Sequence, residues 1–130
     1  MRCALFALLL LLGVAPAHSG QVEVVKAEFE GAASSWTVRV TLRHDDKGWD
    51  HYADAWRVVD ETGKELGVRT LYHPHENEQP FTRSLSGVNI PAGTNVVYVE
   101  AHDKVHGWSK QRVRVDLTKA SGERYSVRRP

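Results

Sequence analysis

The chain has 130 residues, of which 42% are hydrophobic and 25% charged, with 17 Lys+Arg against 16 Asp+Glu and a single cysteine. That length is one domain's worth. The balanced charge excludes the basic field a nucleic-acid binder needs, and one thiol excludes an internal disulfide.

Met1-Arg2 is a short positive start, residues 4–14 are a leucine-rich apolar run, and Ala15-Pro16-Ala17 places small residues where a signal peptidase reads. Residues 1–17 therefore read as a secretory leader, too short for a stable membrane span. Cleavage after Ser19 competes and would remove His18. Cys3 precedes the apolar run, the wrong side for a lipid-modified cysteine, and leaves with the leader. No later run is long or apolar enough to cross a bilayer. The mature chain is expected to be secreted or periplasmic, stabilised by packing alone or by packing plus a metal, and about 110 residues suffice for that.

Residues 21–30 carry Val22, Val24, Val25 and Phe29 and read as a first strand. Residues 35–44 alternate cleanly, with Trp36, Val38, Val40 and Leu42 on one face and Thr37, Arg39, Thr41 and Arg43 on the other, the pattern of a half-buried strand. His44 continues the inward row. A polar loop with Gly48 leads to a third strand over 52–60, with Trp56 and Val58 inward. Residues 61–64 are a turn with Gly63 where a left-handed conformation is cheap. A returning strand follows over 66–72. The segment His73-Pro74-His75-Glu76-Asn77-Glu78-Gln79-Pro80 is a loop, and 81–85 is the next strand. After a turn at 91–94, residues 95–102 and 111–117 form the last two strands, joined by a loop holding His102, Asp103, His106 and Trp108. Residues 118–130 have no period and read as a polar C-terminal tail.

No segment keeps a helical period. Short strands at close turn spacing, with a tryptophan on the third, indicate an all-β, single antiparallel sandwich of about seven strands over residues 21–117. The stretch 90–117 resembles the last two strands of immunoglobulin-like and fibronectin type III-like domains, a likeness of fold that implies no function.

Consecutive antiparallel strands run up and down in turn. By that count the loops holding His44 and His51, His73 and His75, and His102 and His106 all fall at one pole, and His18 joins them if it is retained. Each histidine singly reads as a loop residue beside polar neighbours. The shared pole is what points to a transition-metal site, because imidazole ligates zinc, copper and iron. Asp103, Asp50, Asp54 and Glu76 lie in the same loops as ligands or as acceptors that fix imidazole tautomers. Trp49, Tyr52 and Trp108 flank them, as a packed cap or as a stacking surface. The competing reading is a non-catalytic immunoglobulin-like module whose aromatic pole binds a protein or glycan of the cell envelope. Ser84, Ser86 and Ser109 lack the strained turn of a nucleophile, and no glycine-rich phosphate loop occurs.

His44 followed by His51-Tyr52-Ala53-Asp54-Ala55-Trp56, and later Asp103-Lys104-Val105-His106-Gly107-Trp108 ahead of Val113-Arg114-Val115, resemble the iron-binding domain of the superoxide reductase and desulfoferrodoxin family. That domain is an immunoglobulin-like sandwich whose iron has four histidines in a plane and an axial cysteine thiolate. The resemblance covers roughly residues 44–117 and implies His44, His51 and His106 as ligands, with the fourth among His73, His75 and His102. It departs at Asp103, which stands at the cysteine position, and in the spacing from His51 to Trp56, one residue longer than the family pattern. A carboxylate is harder than a thiolate and favours different metals. The resemblance therefore implies the fold and a histidine pole, and leaves iron-dependent superoxide reduction as a separate question.

Overall fold

The computed structural model describes residues 20–130. The expected leader over 1–17, the alternative cleavage after residue 19, Cys3 and His18 lie outside the described residues. Among the described residues the structure is all-β: β1 (Glu23–Ala32), β2 (Ser35–Arg43), β3 (Ala53–Asp60), β4 (Glu65–Thr70), β5 (Phe81–Asn89), β6 (Val96–Asp103), β7 (Gly107–Trp108), β8 (Val113–Asp116), β9 (Ser121–Gly122) and β10 (Tyr125–Arg128). One sheet has the order β5-β2-β1-β10-β9, and the other has β4-β3-β6 with β7 and β8 both paired to β6. The sheets face each other across one core that takes Phe29, Trp36 and Leu42 from the first and Trp56, Val97 and Val99 from the second.

The alternation of β2 works as its sequence promised. Trp36, Val38, Val40 and Leu42 are buried, with the intervening residues at least partly exposed. Burying those four side chains contributes several kcal/mol of apolar transfer energy, at about 25 cal/mol per Å². A tight turn returns β1 into β2, with Ala33 in the left-handed region at φ 57° and Gly31 paired to Trp36. The indole lies flat against Gly31, so an added Cβ would sit only 2.4 Å from its ring carbons. Only glycine permits that approach.

Two features differ from the expectation. β5 runs on to Asn89, since Val88 and Ile90 are buried beyond the exposed Ser86-Gly87. The stretch 118–130, expected as a tail, is built into the first sheet. β10 pairs with β1 in parallel, with Ala27 opposite Tyr125 and Phe29 opposite Val127. Tyr125 and Val127 are buried, and Arg124 and Arg128 pair with Glu23 and Glu30 at 2.8 and 3.2 Å. Two apolar residues are too few to show a period. They are held because β1 would otherwise present unpaired N–H and C=O groups.

The pairing of β3 with β6 sets the functional pole. Ala53 lies opposite Asp103 and Ala55 opposite His102, with a register irregularity between them. A bulge of this kind re-aims side chains at the end of a strand.

Candidate metal centre

Three segments build the pole. The first is the loop after β2, where His44 is buried at the end of the inward row. The N–H of Lys47 donates to the carbonyl of His51 at 2.7 Å, and Gly48 turns the chain at φ 65°. This closes the loop and brings the His51 ring to 4.8 Å from that of His44, centre to centre. The second segment is the end of β6. Asp103 has a fully buried side chain, and its Oδ1 accepts from the backbone N–H groups of Val105 and His106 at 2.9 and 2.8 Å. This is the local aspartate turn expected of such a residue. It swings His106 back so that its Nδ1 lies 3.1 Å from the same oxygen, with the His106 and His51 rings 5.1 Å apart.

His44, His51 and Asp103 offer ligand atoms that all lie within 4.8 Å of one another. Two ligands on opposite sides of one ion, at about 2.1 Å each, span about 4.2 Å. Three donors cannot all lie opposite one another, and around a tetrahedral ion they sit about 3.4 Å apart, so side-chain movements of about 1 Å close the set. The donors also have unused capacity. His51 Nε2 is buried, lies 3.2 Å from Asp103 Oδ1, and is not aligned to bond it; Asp103 Oδ2 is buried and has no partner. Buried polar atoms left unmatched cost about 1–3 kcal/mol each. A cation bound between them removes that cost. Burial works to raise the Asp103 pKa, but the backbone bonds from His106 and Val105 and the His106 ring outweigh it and hold the carboxyl below its ordinary value. The site keeps an anionic oxygen at neutral pH.

Asp46, which the sequence reading did not single out, proves central. Its side chain is fully buried. Its Oδ1 accepts from His44 Nδ1 at 2.5 Å and from the N–H of Ala53 at 3.0 Å, and its Oδ2 accepts from the N–H of His75 at 2.8 Å. The carboxylate thus fixes the His44 ring and leaves Nε2, which lies 2.9 Å from the Gly20 carbonyl, as the one nitrogen a metal would use, the usual way a metal-binding imidazole is oriented. Burial works to lower the His44 pKa, but the bonds to Asp46 and to the Gly20 carbonyl raise it above the ordinary value. The signal for Asp46 in the sequence was only its place two residues after His44, next to an equally acidic Asp45.

The remaining histidines lie at the same pole but are committed elsewhere. His75 is stacked on Phe81 with centroids 4.0 Å apart, and its Nε2 accepts from Arg83 at 3.0 Å. Burial first, then the charges of Arg83 and His73, push its pKa down. His73 is exposed beside it, with Nδ1 at 3.2 Å from its neighbour Pro74's carbonyl. His102 alternates with Asp103 along β6 and so points to the opposite face. There its Nδ1 donates to Asp54 at 2.5 Å and its ring meets Trp108 edge-on. The structure thus brings together His44, His51, Asp103 and His106, and leaves His73, His75 and His102 outside that group.

The flanking residues serve mostly to hold the loops. Glu76 Oε1 accepts from the N–H of Gly48 at 2.6 Å, and Gln79 Oε1 accepts from the N–H of His44 at 3.0 Å, stitching the 73–80 loop to the 44–52 loop. Tyr52 is buried under the edge of Trp49, whose own surface is 67% exposed. Trp108 lies under the Arg57 guanidinium at 3.7 Å. Asp50 is exposed.

No family model matches the chain. No solved structure matches it. Among the described residues, no helix is long and apolar enough to cross a membrane. A protein of Halomicrobium mukohataei described as "Putative lipoprotein" is 48% identical to it over 77 residues, a stretch that is 59% of this chain and 37% of the relative. The chain thus matches little more than a third of that relative's length.

Proposed function

We propose that this is an exported transition-metal-binding β-sandwich whose ion is held by His44 Nε2, His51 Nε2 and Asp103, with His106 beside them. The observation that carries the reading is the pair of buried, unpartnered atoms, His51 Nε2 and Asp103 Oδ2, in a group whose donors lie within 4.8 Å. Imidazole and carboxylate donors suit iron, copper and zinc, and a three-donor set keeps a position open for a further ligand. Export is supported by the leader-like start of the sequence, and an envelope location by the lipoprotein description of the relative. A superoxide reductase-like activity is the redox form of the same proposal. It is supported by the spacing of Asp103 and His106 and by the partial exposure of the His51 and His106 side chains, 24% and 31%, which opens the cluster to small solutes. In that form the bound iron would exchange the electron, while this chain's histidines orient it and Asp103 supplies the charge a thiolate supplies in the family.

The test is metal content. Protein recovered from the periplasm without a histidine tag should carry close to one equivalent of metal by mass spectrometry. The His51→Ala/Asp103→Ala double variant should lose it. Metal-free wild type whose melting is unchanged by zinc, copper or iron would sink the reading and leave the non-metal binding module in its place.

A further inference from the structure

The nitrogen that the proposed site needs most is already engaged. With Nδ1 held by Asp46, His44 has only Nε2 to offer, and Nε2 donates to the Gly20 carbonyl at 2.9 Å. A nitrogen that donates a hydrogen bond has no free lone pair for a metal. The same glycine covers a second member of the cluster. Gly20 is in the left-handed region at φ 79°, and its backbone lies so close to His106 that an added Cβ would be 2.7 Å from Cε1 and 3.1 Å from Nε2.

The arm that carries Gly20 is anchored just after it. Gln21 Oε1 accepts from the N–H of Lys110 at 2.9 Å, and Val22 is fully buried. The Gln111 side chain bonds both the N–H and the carbonyl of Val24, at 2.9 and 3.1 Å. Among the described residues Gly20 precedes these anchors, so its carbonyl can part from His44 while Val22 and Val24 stay in place.

Resting on the metal reading, we infer that the Gly20 main chain is a strap closing the histidine cluster, and that a metal arriving at His44 Nε2 displaces it. The Nε2 proton leaves to solvent as the ion takes that nitrogen's lone pair, the bond to Gly20 is lost, and His106 is uncovered in the same movement. The strap therefore sets a threshold for loading, because the hydrogen bond must be given up first. It also makes the amino-terminal arm the part of the molecule that responds to the metal. A hydrogen bond to a charged or strongly polarised imidazole contributes enough to weaken metal binding about tenfold.

Zinc, being diamagnetic, allows a direct test by NMR on the exported chain with uniform ¹³C and ¹⁵N labels. The Gly20 carbonyl carbon is read through the Gln21 amide. At one equivalent of zinc the Gly20 carbonyl should shift and the ¹H–¹⁵N NOE of Gln21 should fall, while Val22 and Val24 keep theirs. The Gly20→Ala variant, whose Cβ and backbone both disfavour the closed strap, should bind zinc about tenfold more tightly, and its metal-free form should lose the same tenfold in its folding equilibrium in urea. Zinc that binds one-to-one with the Gly20 carbonyl unmoved, and with equal affinity in Gly20→Ala, overturns the strap and leaves the metal site standing. Zinc that does not bind at all overturns both.

Discussion

Asp46→Asn is the substitution whose effect can be worked out most fully. The carboxylate is buried and accepts from three donors: the His44 ring, the N–H of Ala53 and the N–H of His75. Asparagine has one acceptor oxygen and one NH2. If the oxygen stays on His44 and Ala53, the NH2 faces the N–H of His75; if it turns, the NH2 faces the other two. In either orientation a buried N–H loses its partner, and the charge that strengthens the His44 bond is gone. One lost charge-assisted bond and one orphaned donor sum to about 3 kcal/mol. For a domain of this size that is a fall in Tm of about 12 °C. The assay is thermal and urea unfolding of chelator-treated protein, so that no metal contributes. A second readout checks the cause. Burial works to raise the Asp46 pKa, but the bonds from His44, His75 and Ala53 outweigh it and hold it below its ordinary 3.8. A depressed carboxylate contributes stability that is present above that ordinary value and lost as the pH falls through the folded-state value. The variant should lack that acid step. A Tm within about 3 °C of wild type, with the acid step unchanged, would refute the placing of Asp46 at the centre of this pole.

Three further outcomes follow from the same geometry. Ending the chain at Thr118 removes the buried Tyr125 and Val127 and exposes the edge of β1; stability in urea should fall by about 3–5 kcal/mol, and a loss under about 1 kcal/mol would mean that β10 is not bound to the sheet. His102→Ala should leave metal stoichiometry and affinity unchanged, because His102 is tied to Asp54 on the other face; loss of metal would show that the cluster is drawn too narrowly. His75 is held below its ordinary 6.5 by burial and by Arg83, so it contributes stability present above pH 6.5 and lost as the pH falls through its folded value. The stability difference between wild type and His75→Gln should shrink below pH 6.5, and a difference that stays flat from pH 7.5 to about pH 5 contradicts the assignment.

Much of this was legible in the residues. Alternation in residues 35–44 determined that Trp36 to Leu42 face inward, because a strand has a period of two and one face must leave water. The up-and-down count placed the histidine loops at one pole. It did not say which of them meet. That depended on features with no signature in the order of residues: the register irregularity opposite Asp103, the Lys47–His51 bridge that folds one loop back, and the alternation that sends His102 away while Asp103 turns in. Asp46 was invisible for the same reason, since the N–H of Ala53 and that of His75, 29 residues away, reach it only once the 44–52 and 73–80 loops have closed together, and no local pattern records that. β10 stayed hidden because its partner, β1, is about a hundred residues away in the chain. The sequence by itself determined a two-faced sheet with its chemistry at one end, because periodicity and loop position are local properties. Only the tertiary structure decided that His44, His51 and Asp103 form one group beneath Gly20, because contact between loops is set by register and by buried hydrogen bonds that span the whole fold.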